Sequence, residues 1–412
     1  MPFLKSLCLD GLLSFPPGSE PIPLQPLNVL IGPNGSGKSN LIEGIELLHA
    51  TTTGFASAIR EGGGVREWLW KGDDGSGIGT IEAHVEDDGF DPIPPLIEGK
   101  SPDPLTLRYK LSFVESGHRV EITDEIIADE AYNSDEDKNV RFYYRFQEGH
   151  PIVQARTAPI LYPKSDHRAK LQMDRKKIKP DESILMQLKD SFAYPELTEI
   201  GLQFGQIATF RDWTFGRSAE VRRPQPTDLA ADVLAHDSSN LGMLLNQLEY
   251  LGVQSEFHKY LSRFLPRFER FSTRVEGGTV QFYLHESGLK QPIPATRLSD
   301  GTIRFMAILA QLLSPTPPPL ICMEEPELGL HPDAIALLAE LLQEASARTQ
   351  LIVTTHSDAL VSALTEVADS VMVCEYRGGT VLKRVESEKL RFWLDKYKLG
   401  EIWRIGEIGG NL

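Results

Sequence analysis

Ten residues constrain this chain more than any others: Ile31 to Asn40, IGPNGSGKSN. They follow an apolar run, PLNVL, and precede a segment in which Leu41, Ile42, Ile45 and Leu48 recur at helical spacing. A buried strand, a glycine-rich turn and a helix are therefore expected in immediate succession. Within the turn, Gly32–Ser39 fits the pattern G-x-x-x-x-G-K-[ST]. Glycines at these places let backbone N–H groups curl around phosphate oxygens. The helix start adds the positive end of its dipole. Lys38 can reach the β- and γ-phosphates, and the Ser39 hydroxyl can ligate Mg²⁺. Gly32, Pro33, Asn34, Gly35, Ser36, Gly37, Lys38, Ser39 and Asn40 are thus candidate nucleotide-binding residues, against the plainer reading of a glycine turn that opens a helix.

Three further stretches carry compatible chemistry. In LICMEEPELGLHP, four apolar residues end in Glu324 and Glu325, so two carboxylates are expected at the C-terminal tip of a buried strand. Ligands bind at that edge in open α/β sheets. Glu324 is the candidate metal ligand, and Glu325 the candidate general base for an attacking water. In RLSDGTIRFMAILAQLL, Ser299 and Gly301 precede a helix, which suits an anion or, more simply, a serine cap and a turn glycine. In QLIVTTHSDAL, His356 follows an apolar strand, where it can contact a γ-phosphate or simply end the strand.

Between these motifs the periodicity changes. From about residue 78 to 155, TIEAHVE, LTLRYKLSFVE, RVEITDEII and VRFYYRF alternate with period two, the pattern of an antiparallel sheet. Helices are expected near Ser238–Ser239 and over EFHKYLSRFL, with a hairpin around Gly277–Gly278. From Leu298 to Tyr376, helix and strand alternate, as in a largely parallel sheet. Cys8, Cys322 and Cys374 lie singly in apolar runs and read as reduced core thiols. No apolar run approaches the roughly 18 residues of a membrane helix. The first residues are too broken by charge and proline for a signal peptide, so a cytoplasmic location is expected.

Together, the four stretches resemble the ABC-type ATPases of the SMC, RecF and OLD group. Gly32–Ser39 matches their Walker A loop, Leu298–Thr302 the signature, Leu320–Glu325 Walker B and His356 the switch histidine, with Leu328–Pro332 in the D-loop place. Walker B carries Glu324 where many relatives have aspartate, and LSDGT in place of LSGGQ argues against a transporter subunit. The resemblance implies an α/β P-loop NTPase with an ABC/RecF-like head: a mixed sheet flanked by helices, an added antiparallel β region and a helical lobe. On that frame, residues 1–412 form one composite ATPase head. Its core halves are 1–75 and 290–412, the β-rich insertion is 76–225, and the helical lobe at 226–289 leads to the signature. ATP and Mg²⁺ are the implied cofactors. Glu325, His356 and Lys38 take the catalytic roles, Glu324 and Ser39 the metal, and Ser299 and Gly301 the nucleotide of a second copy. A homodimer with ATP sandwiched between its subunits follows. The roughly 55 residues after His356 lead to the expectation that the nuclease domain of OLD proteins is absent.

What such a switch acts on is open. A net charge of −16 is unlike that of a nucleic-acid binder. One basic segment, Lys164–Lys179, nevertheless holds Lys164, Arg168, Lys170, Arg175, Lys176, Lys177 and Lys179 against two aspartates, and is the candidate DNA contact or else a solvated loop. One reading is a DNA-bound factor in repair or genome maintenance. The other is the ATPase module of a multi-protein system, such as antiviral defence, that gates a partner effector. A hexameric AAA motor is disfavoured, since such motors complete their site with an arginine finger and not with a signature helix.

Overall fold

The computed structural model describes residues 3–73, 75–87, 105–130, 141–147, 149–156, 168–211 and 213–410. The chain divides into two compact units. The first comprises Met1–Gln25, Asn34–Ile207 and Glu375–Leu382; the second comprises Pro26–Pro33, Ala208–Cys374 and Lys383–Leu412.

The first unit is built on an antiparallel sheet. Its strands run in the order Ile22–Pro23, Leu4–Asp10, Ile78–Asp87, Leu105–Ser116, Arg119–Asp129, Phe142–Gln147, His150–Arg156 and Arg168–Gln172. The period-two pattern is realised as one buried face: Ile81, Ala83 and Val85 alternate with more exposed residues, as do Leu107, Tyr109, Leu111 and Phe113. The helix Lys38–Thr53 sends Leu41, Ile42, Ile45 and Leu48 into the core, as their spacing requires. Its Gly44 permits the close approach, because a Cβ there would lie 2.5 Å from Leu9 Cδ1. A second helix, Pro195–Gly205, carries Phe204, whose ring meets Tyr109 edge-on at 5.3 Å. The sheet takes in more of the chain than residues 78–155. The N-terminal strand Leu4–Asp10 pairs with Ile78–Asp87, and Arg168–Gln172 adds an edge.

The second unit holds the strands Ala208–Phe210, Leu320–Glu324, Gln350–Thr354 and Leu27–Ile31, in that order, with residues 371–374 of the strand Val371–Tyr376 beside the last. All five pair parallel. Leu27–Ile31 and Gln350–Thr354 are buried along their whole length, which is why they read as continuous apolar runs and not as alternations. The helix Asp300–Leu312 leads into Leu320–Glu324, and Pro332–Ala345 joins that strand to Gln350–Thr354. The helices Leu241–Tyr250 and Gln254–Phe264 and the hairpin Phe268–Glu276/Thr279–Glu286 contribute Leu244, Phe257, Phe271 and Phe282 to the same core.

Candidate functional site

In the second unit, chemistry gathers at the C-terminal edge of the parallel strands. Leu27–Ile31 ends there in Gly32 and Pro33, beside Gln350–Thr354, and the Thr355 N–H donates to the Leu30 carbonyl at 3.1 Å. One strand further on, Leu320–Glu324 ends at the two carboxylates. Glu325 has a left-handed backbone, φ 44°. For a residue with a side chain this costs on the order of 1–3 kcal/mol and persists only where the surroundings enforce it. They do so here: the Glu325 N–H donates to the Thr354 carbonyl at 3.0 Å, and its own carbonyl accepts from Leu328 N–H at 3.1 Å. The turn lifts the Glu325 carboxylate to within 3.6 Å of His356 Nε2, and both side chains are about one-third exposed.

The neighbours of this pair also carry charge. The buried Glu324 Oε1 pairs with Arg211 Nε at 3.4 Å, and the Glu324 carbonyl accepts from Trp213 Nε1 at 3.1 Å. Glu327 is buried and accepts from the Thr355 hydroxyl and, at 3.3 Å, from the His356 N–H; burial pushes its carboxyl above the usual carboxylate range. Among the described residues, no group of three or more His, Cys, Asp or Glu side chains forms a metal cage.

The signature stretch belongs to the same unit. Ser299 caps the helix Asp300–Leu312, its hydroxyl accepting from the Thr302 N–H at 3.1 Å, and it stands exposed. Gly301 is required by close approach, since a Cβ would lie 2.7 Å from the Gly329 carbonyl. The signature therefore rests directly on the turn that follows the glutamates. Buried Arg222 braces the approach to it. Its guanidinium donates to the carbonyls of Phe215 at 2.9 Å, Ala295 at 3.0 Å and Leu298 at 2.7 Å, and pairs with Asp300.

The rest of the glycine loop lies in the first unit. Gly35 and Gly37 have φ of 77° and 99°, open to glycine and costly to other residues. Gly37 also has no room for a side chain, because a Cβ would sit 1.9 Å from Thr380 Oγ1. That hydroxyl ties the loop down, donating to the Ser36 carbonyl at 2.9 Å and sharing a hydrogen bond with Ser14 Oγ at 2.6 Å. Lys38 is 7 % exposed and begins the helix; Ser39 is exposed. Beside the first turn of this helix, a cavity of about 430 Å³ is lined by Asn40, Ser14, Trp70 and Tyr376, among others. Lys5 is used locally, donating to Thr106 Oγ1 at 2.7 Å beside Glu86.

Of the sequence-derived candidates, the second unit brings together Gly32, Pro33, Glu324, Glu325 and His356 at one sheet edge, with Ser299 and Gly301 packed on the adjoining turn. Asn34–Asn40 are held by the first unit. Sequence reasoning overlooked Arg211, Trp213, Arg222, Glu327 and Thr380. All but Glu327, which shows in the motif itself, lie far along the chain from the residues they support and carry no local signal. In the basic segment, Lys164 falls outside the described residues. Arg168 pairs with buried Glu196, Lys170 lies over the Phe142 ring, and Arg175 lies over Phe146 and 3.7 Å from Glu121, while Lys176, Lys177 and Lys179 are exposed.

Residues 27–362 match the family described as "AAA domain, putative AbiEii toxin, Type IV TA system". The Old nuclease of Escherichia phage P2 is 30 % identical over 178 residues, covering 38 % of this chain and 29 % of the nuclease, so the match spans under a third of that relative. Among solved structures, an SmcHead bound to the C-winged helix domain of ScpA superposes with a TM-score of 0.56 at 15 % identity, covering 94 % of this chain and 99 % of that one. An Smc head domain with an extended coiled coil, bound to the C-terminal domain of ScpA derived from Pyrococcus furiosus, gives the same TM-score at 14 % identity, covering 96 % and 99 %. These likenesses establish an SMC-head fold. Family match, motif set and fold agree: the chain belongs to this AAA-domain family, among the ATPases of ABC, SMC and OLD-like type.

Proposed function

We propose that the chain binds MgATP on the Gly32–Ser39 loop and hydrolyses it, with two copies clasping the nucleotide. The observation that carries this reading is Glu325, held in a left-handed turn at the strand end with its carboxylate beside His356. A carboxylate so placed can take a proton from an attacking water, while the imidazole steadies either the water or a phosphate oxygen. Lys38 neutralises phosphate charge. Mg²⁺ enters as part of the substrate, and Ser39 and Glu324 would be its protein ligands. The base end of the nucleotide occupies the cavity beside Asn40, where Trp70 and Tyr376 offer aromatic surface. Ser299 is exposed at a helix N-terminus and serves the γ-phosphate of the second copy.

Changing Glu325→Gln tests both halves of the proposal. Turnover should fall by about 100-fold or more, and MgATP should then hold a dimer measurable by light scattering. A variant that hydrolyses normally, or stays monomeric at saturating MgATP, counts against it.

For the object of the switch, the intrachain use of Arg168, Lys170 and Arg175 favours a partner protein over DNA. The ScpA-bound SMC heads and the family description point the same way, towards an ATPase module that gates an effector, as in a defence system. DNA binding remains the second reading, through Lys176, Lys177 and Lys179, and gel-shift titration across salt with the charge-reversed pair Lys176→Glu/Lys177→Glu decides between them.

A further inference from the structure

One cation is built into the glutamate turn without belonging to any of the motifs. Arg304 lies five residues beyond Ser299 on the helix Asp300–Leu312. Its guanidinium is half-buried, 5.8 Å from the ring centre of Trp213 and 5.5 Å from that of Phe215, and the two rings stack on each other at 5.8 Å. From there one nitrogen points to the Glu325 carbonyl at 3.4 Å and another to the Trp213 carbonyl at 3.5 Å. Neither is a short bond, but both are charge–dipole contacts in a partly dry setting, where they count for more than in water.

The surroundings show why this matters. Glu325 is held against its backbone preference, so whatever fixes its carbonyl also fixes where its carboxylate points. Trp213, which carries the arginine on its face, also donates its ring N–H to the Glu324 carbonyl. Thus Arg304 and Trp213 grip consecutive carbonyls of the Glu324–Glu325 pair, one from the signature helix and one from the segment after Ala208–Phe210. The carboxylates of Glu327, Asp300 and Glu325 supply the compensating charge.

We propose that Arg304 is a positioning residue: from the signature helix it holds the Glu325 backbone in its left-handed conformation and so aims the general base. The inference rests on the reading of Glu325 as that base. It makes the helix whose first residues meet the second copy's nucleotide the same rigid body that carries the clamp on the base. Engagement at Ser299 is thereby linked to water activation at Glu325.

The test uses the full chain, MgATP, and the variants Arg304→Met, Arg304→Lys, Glu325→Gln and Arg304→Met/Glu325→Gln. Arg304→Met should lower kcat about 10- to 100-fold, the range expected when a reacting group is misplaced by about 1 Å. Affinity for a fluorescent ATP analogue, the MgATP-dependent dimer and the thermal midpoint should stay near the parent's. Lysine keeps the charge but reaches one carbonyl at most, so Arg304→Lys should recover part of kcat. In the Glu325→Gln background, Arg304→Met should add no further loss, because both act through one group. An unchanged kcat in Arg304→Met alongside an inactive Glu325→Gln overturns the proposal. So does a joint fall of nucleotide affinity, thermal midpoint and kcat that lysine leaves unrescued, which marks a merely structural arginine. If Arg304→Met fails to fold, Arg304→Lys alone decides: a kcat and KM equal to the parent's rejects the clamp. Normal turnover in Glu325→Gln instead removes the reading of the base itself, and the proposal with it.

Discussion

Single residues in this chain are often held by two constraints at once, and the substitutions that test them can be chosen accordingly. Gly37 needs both a positive φ and an absent side chain. Gly37→Ala therefore has no cheap accommodation. It should displace Thr380 from the Ser36 carbonyl and weaken ATP binding by about tenfold or more, read by titration with a fluorescent analogue. Gly35 has a positive φ and open space around it, so Gly35→Ala should cost less. Glu125 is a second such residue, remote from the candidate site. It is buried among Tyr109, Ser183 and the Ile184 N–H, and burial pushes its carboxyl up to about 7. A carboxyl whose folded pKa lies above its unfolded one binds more protons in the native state. Stability should therefore fall as pH rises from about 4.5 to about 7. Urea denaturation at pH 5 and pH 8 should show that loss in the parent protein and a flatter profile in Glu125→Gln; equal slopes would place the proton elsewhere.

Elements here were legible to different degrees, for reasons of periodicity. The strand–loop–helix around Gly32–Ser39 was readable because an apolar run, a glycine pattern and a 3.6-residue repeat adjoin within thirty residues. The alternating strands and the hairpin at Gly277–Gly278 were readable for the same reason, each carrying its signal locally. Ala208–Phe210 was not: three residues are too few for a period, and only pairing with Leu320–Glu324 makes them a strand. Nor did local pattern show that Leu4–Asp10 joins the antiparallel sheet, since strand partners are chosen by packing. Arg222 shows how an element can depend on a residue far outside it. Its guanidinium satisfies four carbonyls, those of Ala295 and Leu298 on the approach to the signature helix and those of Phe215 and Gly216. Arg222→Met leaves these and Asp300 without a cation, and should cost about 3 kcal/mol by urea denaturation, with a loss of MgATP-dependent dimer. A small change in both would show that neither stability nor association depends on Arg222.

At the scale of the whole molecule, the property to test is the proposed MgATP-dependent association of two copies. Ser299 stands exposed on its helix start, and Gly301 is pressed against Gly329, so the signature face is presented outward from its own unit. Ser299→Arg should abolish the MgATP-dependent dimer while leaving binding of the fluorescent analogue to the monomer within about twofold. Dimerisation that survives this change would place the contact elsewhere. No helix among the described residues is long and apolar enough to cross a membrane.

The sequence alone determined the glycine loop between strand and helix, the paired glutamates, the serine-capped helix and the class of fold, because each is encoded in short-range order: which residue types adjoin, and at what period. Tertiary structure decided which side chains make those motifs work. It placed Thr380 against Gly37, Gly329 against Gly301, and Arg304 and Trp213 on the glutamate carbonyls. These contacts join residues from 21 to more than 300 positions apart. Such pairings arise only when folding brings distant segments into one packed volume, and no local pattern of residues records them.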